Sequence, residues 1–146
     1  MSRWRWLLVA LPVALLVAQA VPVARTNPPV PNDIQTPPEV KAMLRRACYD
    51  CHSHETVWPW YSRVAPVSWL VAHDVDEGRG DLDFSTWKRY GAPGQVKKLR
   101  KSAEEIAEGE MPPWYYVLVH PEARLSDADR QALAAWIDGE VARLAP

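Results

Sequence analysis

The chain has 146 residues, with 17 lysines and arginines against 18 aspartates and glutamates and a formal net charge of −1. That balance leaves no basic footprint for a nucleic acid, and the only two cysteines, Cys48 and Cys51, belong to one motif, so no structural disulfide is expected. About 110 residues remain once an apolar N-terminal stretch is set aside, which is one core's worth of chain and hence a single small domain.

In chain order, Arg3 and Arg5 precede an uncharged stretch from Trp6 to Ala24. A basic start followed by an apolar run is the pattern of an export segment. Ala18-Gln19-Ala20 offers a small-x-small cleavage site, while the uncharged length approaches the roughly 20 residues that span a bilayer, so a cleaved signal and a retained anchor are both open for residues 1–24. In either case the two arginines hold the N-terminus in the cytoplasm and send the rest of the chain outward. The expected location is the periplasm or the outer face of the cytoplasmic membrane. Loss of Arg3 and Arg5 by cleavage would take the formal charge from −1 to −3. Residues 25–37, RTNPPVPNDIQTP, are too proline-rich for a helix or central strand and read as an extended tether.

Residues 38–146 carry helical periodicity almost throughout. Thr36 and Glu39 have capping-box spacing, and Val40, Met43, Leu44 and Ala47 then recur at i, i+3, i+4 and i+7. A second helix is expected over Pro66 to Glu77, with Trp69, Ala72 and Val75 on one side and Gly78 as its stop. A third covers Gln95 to Glu108, lined by Val96, Leu99, Ala103 and Ile106 and ended by Gly109. The last begins at Ser126 as N-cap over Asp127 and Asp129 and buries Leu133, Trp136, Ile137 and Leu144. No alternating run supports a sheet, so the fold class is all-α.

The first of these helices leads into Cys48-Tyr49-Asp50-Cys51-His52, a CxxCH pattern. Two cysteines three residues apart on a helical turn can each add to a vinyl group of one porphyrin, and the following histidine is then held beneath the iron as an axial ligand. A thioredoxin-like dithiol pair needs no such histidine and sits after a strand, and a zinc site would need a second ligand cluster. One covalently attached haem c is therefore the expected cofactor, and it is joined outside the cytoplasm, in keeping with the export segment.

Haem iron held by His52 has a sixth position on its other face. Met43 shares the helix that leads into the motif and so lies on the proximal side. His54 is two residues from His52, within about 7 Å, too short a reach to pass round the porphyrin edge. Of the rest, Met111 in Gly109-Glu110-Met111-Pro112-Pro113 has the best local chemistry, with His73 and then His120 as substitutes. Pro112 holds Met111 out of the α region, and a soft thioether suits haem iron and raises its potential. The many aromatics, among them Trp58, Trp60, Tyr61, Trp69, Trp87, Trp114, Tyr115 and Tyr116, are read as walls of the haem slot or an aromatic core. Arg63 and Arg79 are read either as partners of the propionates or as solvated surface.

Helix, CxxCH, middle segment, methionine loop and C-terminal helix resemble the order of parts in class I cytochromes c. The strings CYDCHSHETVWPWYSRVAPVSWLVAHDV, GRGDLDFSTW and AEGEMPPWYYVLVHPEARLS resemble the bacterial haem-binding domain family of small monohaem c-type cytochromes, over roughly Arg25 to Leu144. The resemblance implies Cys48 and Cys51 as attachment sites, His52 as an axial ligand and Met111 as the second. His54 and Asp83 depart from it, standing where asparagine is common. Two functions follow as expectations. In the first, the protein is an exported electron carrier with His52/Met111 ligation and redox proteins as partners. In the second, it is a haem enzyme or sensor with an open or displaceable sixth position, for which His73 with Arg79 is the only imaginable distal pair.

Overall fold

The computed structural model describes residues 3–145, and within them the fold is all-helical. Helix α1 spans Arg3–Ala18, α2 Pro38–Ala47, α3 Tyr49–His52, α4 Val67–Asp81, α5 Gly91–Glu108, α6 Trp114–Val119 and α7 Asp127–Leu144. Short 3₁₀ turns intervene at Trp60–Arg63, Trp87–Tyr90 and Pro121–Ala123.

Helix α1 is 16 residues long and, at 1.5 Å per residue, about 24 Å, short of the roughly 30 Å hydrocarbon core of a bilayer. No helix among the described residues is long and apolar enough to cross a membrane, so the expected anchor helix is not found. The side chains of Arg3 and Arg5, which carried the orientation argument, lie outside the described residues. Those from Trp6 to Val17 are exposed.

Residues 25–37 are extended, as the prolines demand, but they run along the domain rather than standing off it. Arg25 Nη1 donates to the Ser62 carbonyl at 3.1 Å and Asn27 Nδ2 to that of Thr56 at 2.9 Å. Further on, the N–H groups of Asn32 and Ile34 donate to the carbonyls of Ser85 and Phe84, and the Trp87 N–H returns a bond to Asn32. Ile34 is thereby carried into the core. A tether reading from proline content alone missed this buried apolar residue.

Helix α2 buries Val40, Met43, Leu44 and Ala47, the stripe its periodicity marks. Its start differs from expectation. The N-cap is Pro37, and the Thr36 hydroxyl donates to the Pro37 carbonyl instead of closing a box with Glu39. Helix α4 runs four residues past its expected end, through Gly78 to Asp81. Helix α5 begins four residues early, because its first turn, Gly91-Ala92-Pro93-Gly94, tolerates proline yet shows no apolar stripe. Its end is as expected: Gly109 takes φ 81°, a left-handed conformation that glycine adopts without penalty. Helices α5 and α7 pack as the principal pair, with α2 against α7 and α3 against α4. Leu99 and Ile106 meet Leu133 and Ile137 in the core cluster, which α2 joins through Met43 and Leu44.

Helix α7 opens with the capping box that Ser126 signals. The Ser126 hydroxyl accepts from the Asp129 N–H, and the Asp129 carboxylate accepts from the Ser126 N–H. Arg46 of α2 reaches the same carboxylate at 2.7 Å. The Ser126 hydroxyl and N–H, then Arg46, hold the Asp129 carboxyl down at about 2. A depressed carboxyl contributes stability above its unfolded value near 3.9 and loses it as pH falls toward 2. Ser126→Ala is expected to cost about 1 kcal/mol at neutral pH, read by denaturant unfolding, with the gap to wild type narrowing from pH 4 to pH 2. A gap independent of pH would show that the cap and the carboxylate are not coupled.

A candidate haem site

The CxxCH motif is positioned by a break in the chain. Cys48 ends α2 and begins α3 with φ −129° and ψ −33°, and the N–H groups of Cys51 and His52 both donate to its carbonyl. Both cysteines therefore sit on one tight turn, and both are free thiols. Burial, foremost, pushes each thiol up to about 12, with the Asp74 and Asp50 carboxylates adding to the effect at Cys51. A dithiol redox pair needs the opposite, a thiolate stabilised near neutrality.

His52 is oriented by α4. Its Nδ1–H donates to the carbonyls of Gly78 at 2.8 Å and Leu82 at 3.0 Å, so Nε2 is left as the atom with a free lone pair. The close approach requires glycine: a Cβ on Gly78 would lie 2.7 Å from the Cys51 carbonyl oxygen. Gly78, expected to stop α4, is instead the place where α4 touches the motif. An isolated glycine within a helical pattern was the available signal for a close contact. Gly78→Ala is expected to destabilise the protein by about 1–3 kcal/mol through overpacking. Gly80→Ala, where a Cβ meets nothing within 4 Å, should leave it unchanged or up to about 1 kcal/mol more stable in a thermal melt. Equal melting shifts for the two would remove the close-approach argument.

The loop that follows α4 is fixed by His54 and Asp83. His54 Nε2 lies 3.0 Å from Asp83 Oδ2, and Asp83 is buried. Asp83 also accepts from the Ser85 N–H and the Thr86 hydroxyl, and the Phe84 N–H donates to the His52 carbonyl. The pair thus supports the backbone on which His52 sits.

A cavity of about 480 Å³ opens beside the motif, lined by Cys48, Cys51 and His52 and also by Met111. This is within the range of small-molecule and cofactor sites. Its apolar walls come from Leu44, Phe84, Leu99, Ile106, Leu133 and Ile137. Met111 arrives there because Gly109 reverses the chain and the N–H groups of Glu110 and Met111 both donate to the Glu105 carbonyl. Pro112, buried, and Pro113 stand beside it in the wall.

The other sixth-position candidates lie elsewhere. His73 is exposed on α4 and paired with Glu77 at 3.4 Å. His120 stacks on Tyr116, with Nε2 at 2.6 Å from the Tyr61 hydroxyl and Nδ1 at 3.2 Å from Glu122. It lines a neighbouring cavity of about 360 Å³ and not the one that His52 lines. Met43 is in the core.

The aromatic and cationic assignments divide. Of the tryptophans only Trp136 lines the larger cavity, together with Tyr115 and Tyr116. Arg79 is not free for a propionate: its guanidinium donates to Ser53, Thr26, Asn27 and Thr56, stapling residues 26–27 to the loop after the motif. Arg63 is exposed and does not line the cavity. The cations that do are Lys98 and Lys101, which sequence reasoning passed over as part of the charged face of α5.

Against known protein families, the chain matches the one described as the haem-binding domain, over residues 13–139. No curated protein and no solved structure matches it. The family match takes in most of the chain, and the protein belongs to the haem-binding domain family, with haem as its cofactor. The residues present fit that group: an apolar slot, a histidine nitrogen freed by its ring partner, and a soft sulfur share one cavity.

Proposed function

We propose that this haem protein is an exported monohaem c-type cytochrome that transfers electrons. Cys48 and Cys51 would hold the group through thioethers, and His52 Nε2 and the Met111 sulfur would ligate its iron. The observation that supports this reading is the meeting of all four side chains in one cavity, with His52 Nδ1 tied to two backbone carbonyls. When bound, haem supplies a one-electron couple at iron, which a thioether ligand shifts toward higher potential.

The chain's own residues account for the rest. Gly78 and Leu82 fix the tautomer and ring plane of His52. Leu99, Ile106, Leu133 and Ile137 exclude water from the slot. Lys98 and Lys101 also line it, the first bonded to the Asp81 carbonyl and the second paired with Glu104 and Glu105, and either would have to turn from these partners to meet a propionate. The partners would be redox proteins in the periplasm or at the outer face of the cytoplasmic membrane, reached by export through the N-terminal apolar segment. The alternative enzyme or sensor reading gains no support, because neither His73 nor Arg79 lines the cavity.

Absorption spectra of the purified protein in both redox states, with and without carbon monoxide, test the proposal. Low-spin spectra in both states and little response to carbon monoxide are expected. High-spin iron that binds carbon monoxide rapidly would replace the carrier with the enzyme or sensor.

A further inference from the structure

Beyond residues 1–24, the large exposed apolar side chains of the described residues are Val30, at 41%, and those of two segments, Val57–Leu70 and Trp114–Val119. None lies on α2, α5 or α7. The two segments are one surface, because residues from both line the smaller cavity, among them Val57, Val67, Leu70 and Val119. Beside cavity-lining Tyr61 and Tyr115, Trp60 is 77% exposed and Trp114 76%, and Leu118 on the same helix as Trp114 is 73% exposed. Side chains of this size in contiguous exposure mark an interaction surface rather than the scatter of a soluble monomer.

Of the carboxylates near this face, Asp50 accepts from the Tyr116 hydroxyl and the Val57 N–H, Glu122 is paired with His120, and half-buried Asp74 lines the smaller cavity beside Tyr115. Exposed Arg63, together with Arg25 bonded to the Ser62 carbonyl, places positive charge at the edge of the face.

Helix α1 comes to the same place. Gln19, just past its end, donates through Nε2 to the Ala65 carbonyl and accepts through Oε1 from the Ala65 N–H, at 3.2 and 3.1 Å. Ala65 is flanked by exposed Val64 and Val67. An uncharged, exposed helix surface from Trp6 to Val17 thus adjoins a tryptophan-rich face edged by arginine. A lipid surface covers both, with indole rings at the headgroup level and arginine toward phosphate.

We infer that the face formed by the Trp60 turn, the start of α4 and helix α6 docks on a lipid bilayer, beside α1 and on the same membrane. The docking is peripheral and turns the mouth of the smaller cavity toward lipid. It goes beyond the electron-carrier reading and does not depend on it.

The test uses the full-length, haem-loaded protein with vesicles of phosphatidylcholine and phosphatidylglycerol that carry a photoactivatable acyl chain. After illumination, mass spectrometry should find label in peptides covering residues 57–70 and 114–119 as well as in α1, with none on α5 or α7. The triple variant Trp60→Glu, Trp114→Glu, Leu118→Glu should lose the label on the domain, keep it on α1, and bind vesicles about tenfold or more weakly in flotation. Single variants at the same three exposed positions give the same direction should the triple variant fold poorly. Label confined to α1 in the wild type would overturn the inference. So would a concentration-dependent dimer that the variants dissociate, since the face would then belong to a second copy.

Discussion

Replacing Cys51 with alanine is expected to remove most of the haem-loaded protein recovered from cells, and Cys48→Ala should do the same. Each change would remove one of the two proposed thioethers, from a turn whose two cysteines line one cavity. Wild-type protein should show the apoprotein mass plus one haem after denaturation, and its pigment should stay with the polypeptide in acidified organic solvent. Pigment that extracts freely from the wild type would end the covalent reading.

The loss should extend to the fold. The slot beside the motif holds about 480 Å³ of space that opens to solvent and is walled mostly by apolar side chains. Left without haem, those walls lose the dispersion contacts that a planar macrocycle would make with them. Water entering the slot does not replace those contacts at Leu99, Ile106, Leu133 and Ile137. Haem-free Cys48→Ala/Cys51→Ala protein should therefore keep helical circular dichroism and lose dispersed NMR signals. A well-dispersed spectrum would show that the helices close on one another without the cofactor.

The parts legible in the sequence were those with local causes. The α2 stripe, the Gly109 stop and the Ser126 cap each follow from a few adjacent residues, and each appears in the structure. What the sequence hid was set by distant contacts. Gly78 reads as a stop because a helix seldom tolerates glycine, yet its meaning lies in the Cys51 carbonyl 27 residues away. Residues 25–37 read as a spacer because prolines forbid helix, while Arg79 and Ser85 hold the region in place from across the domain. The anchor expectation rested on counting uncharged residues to Ala24, whereas the helix itself ends at Ala18. In the site, the CxxCH turn was readable and local chemistry favoured Met111 over His120, but the sequence did not show which of the two shares a cavity with His52. That distinction depends on which cavity each lines, and on the Tyr61 and Glu122 contacts that occupy His120.

Met111→Ala separates the two candidate ligands in solution and should have the largest spectroscopic effect of any change outside the motif. Met111 lines the cavity of His52 from a loop pinned by the Glu105 carbonyl. If its sulfur binds iron, the ferric wild type shows a weak near-infrared sulfur-to-iron charge-transfer band, and Met111→Ala abolishes it. The variant should also turn largely high-spin, admit carbon monoxide readily and titrate at a lower potential, because a thioether favours ferrous over ferric iron. His73→Ala should leave the band intact, since that ring is exposed and paired with Glu77. His120→Ala should also leave it intact, and is expected to cost about 1–3 kcal/mol of stability by stranding the Tyr61 hydroxyl. The assignment fails if the wild type lacks the band, Met111→Ala leaves the spectrum unchanged and His120→Ala turns the iron high-spin. In that outcome ligation would be bis-histidine, and the loop from Gly109 to Pro113 would be a wall of the slot rather than a ligand arm.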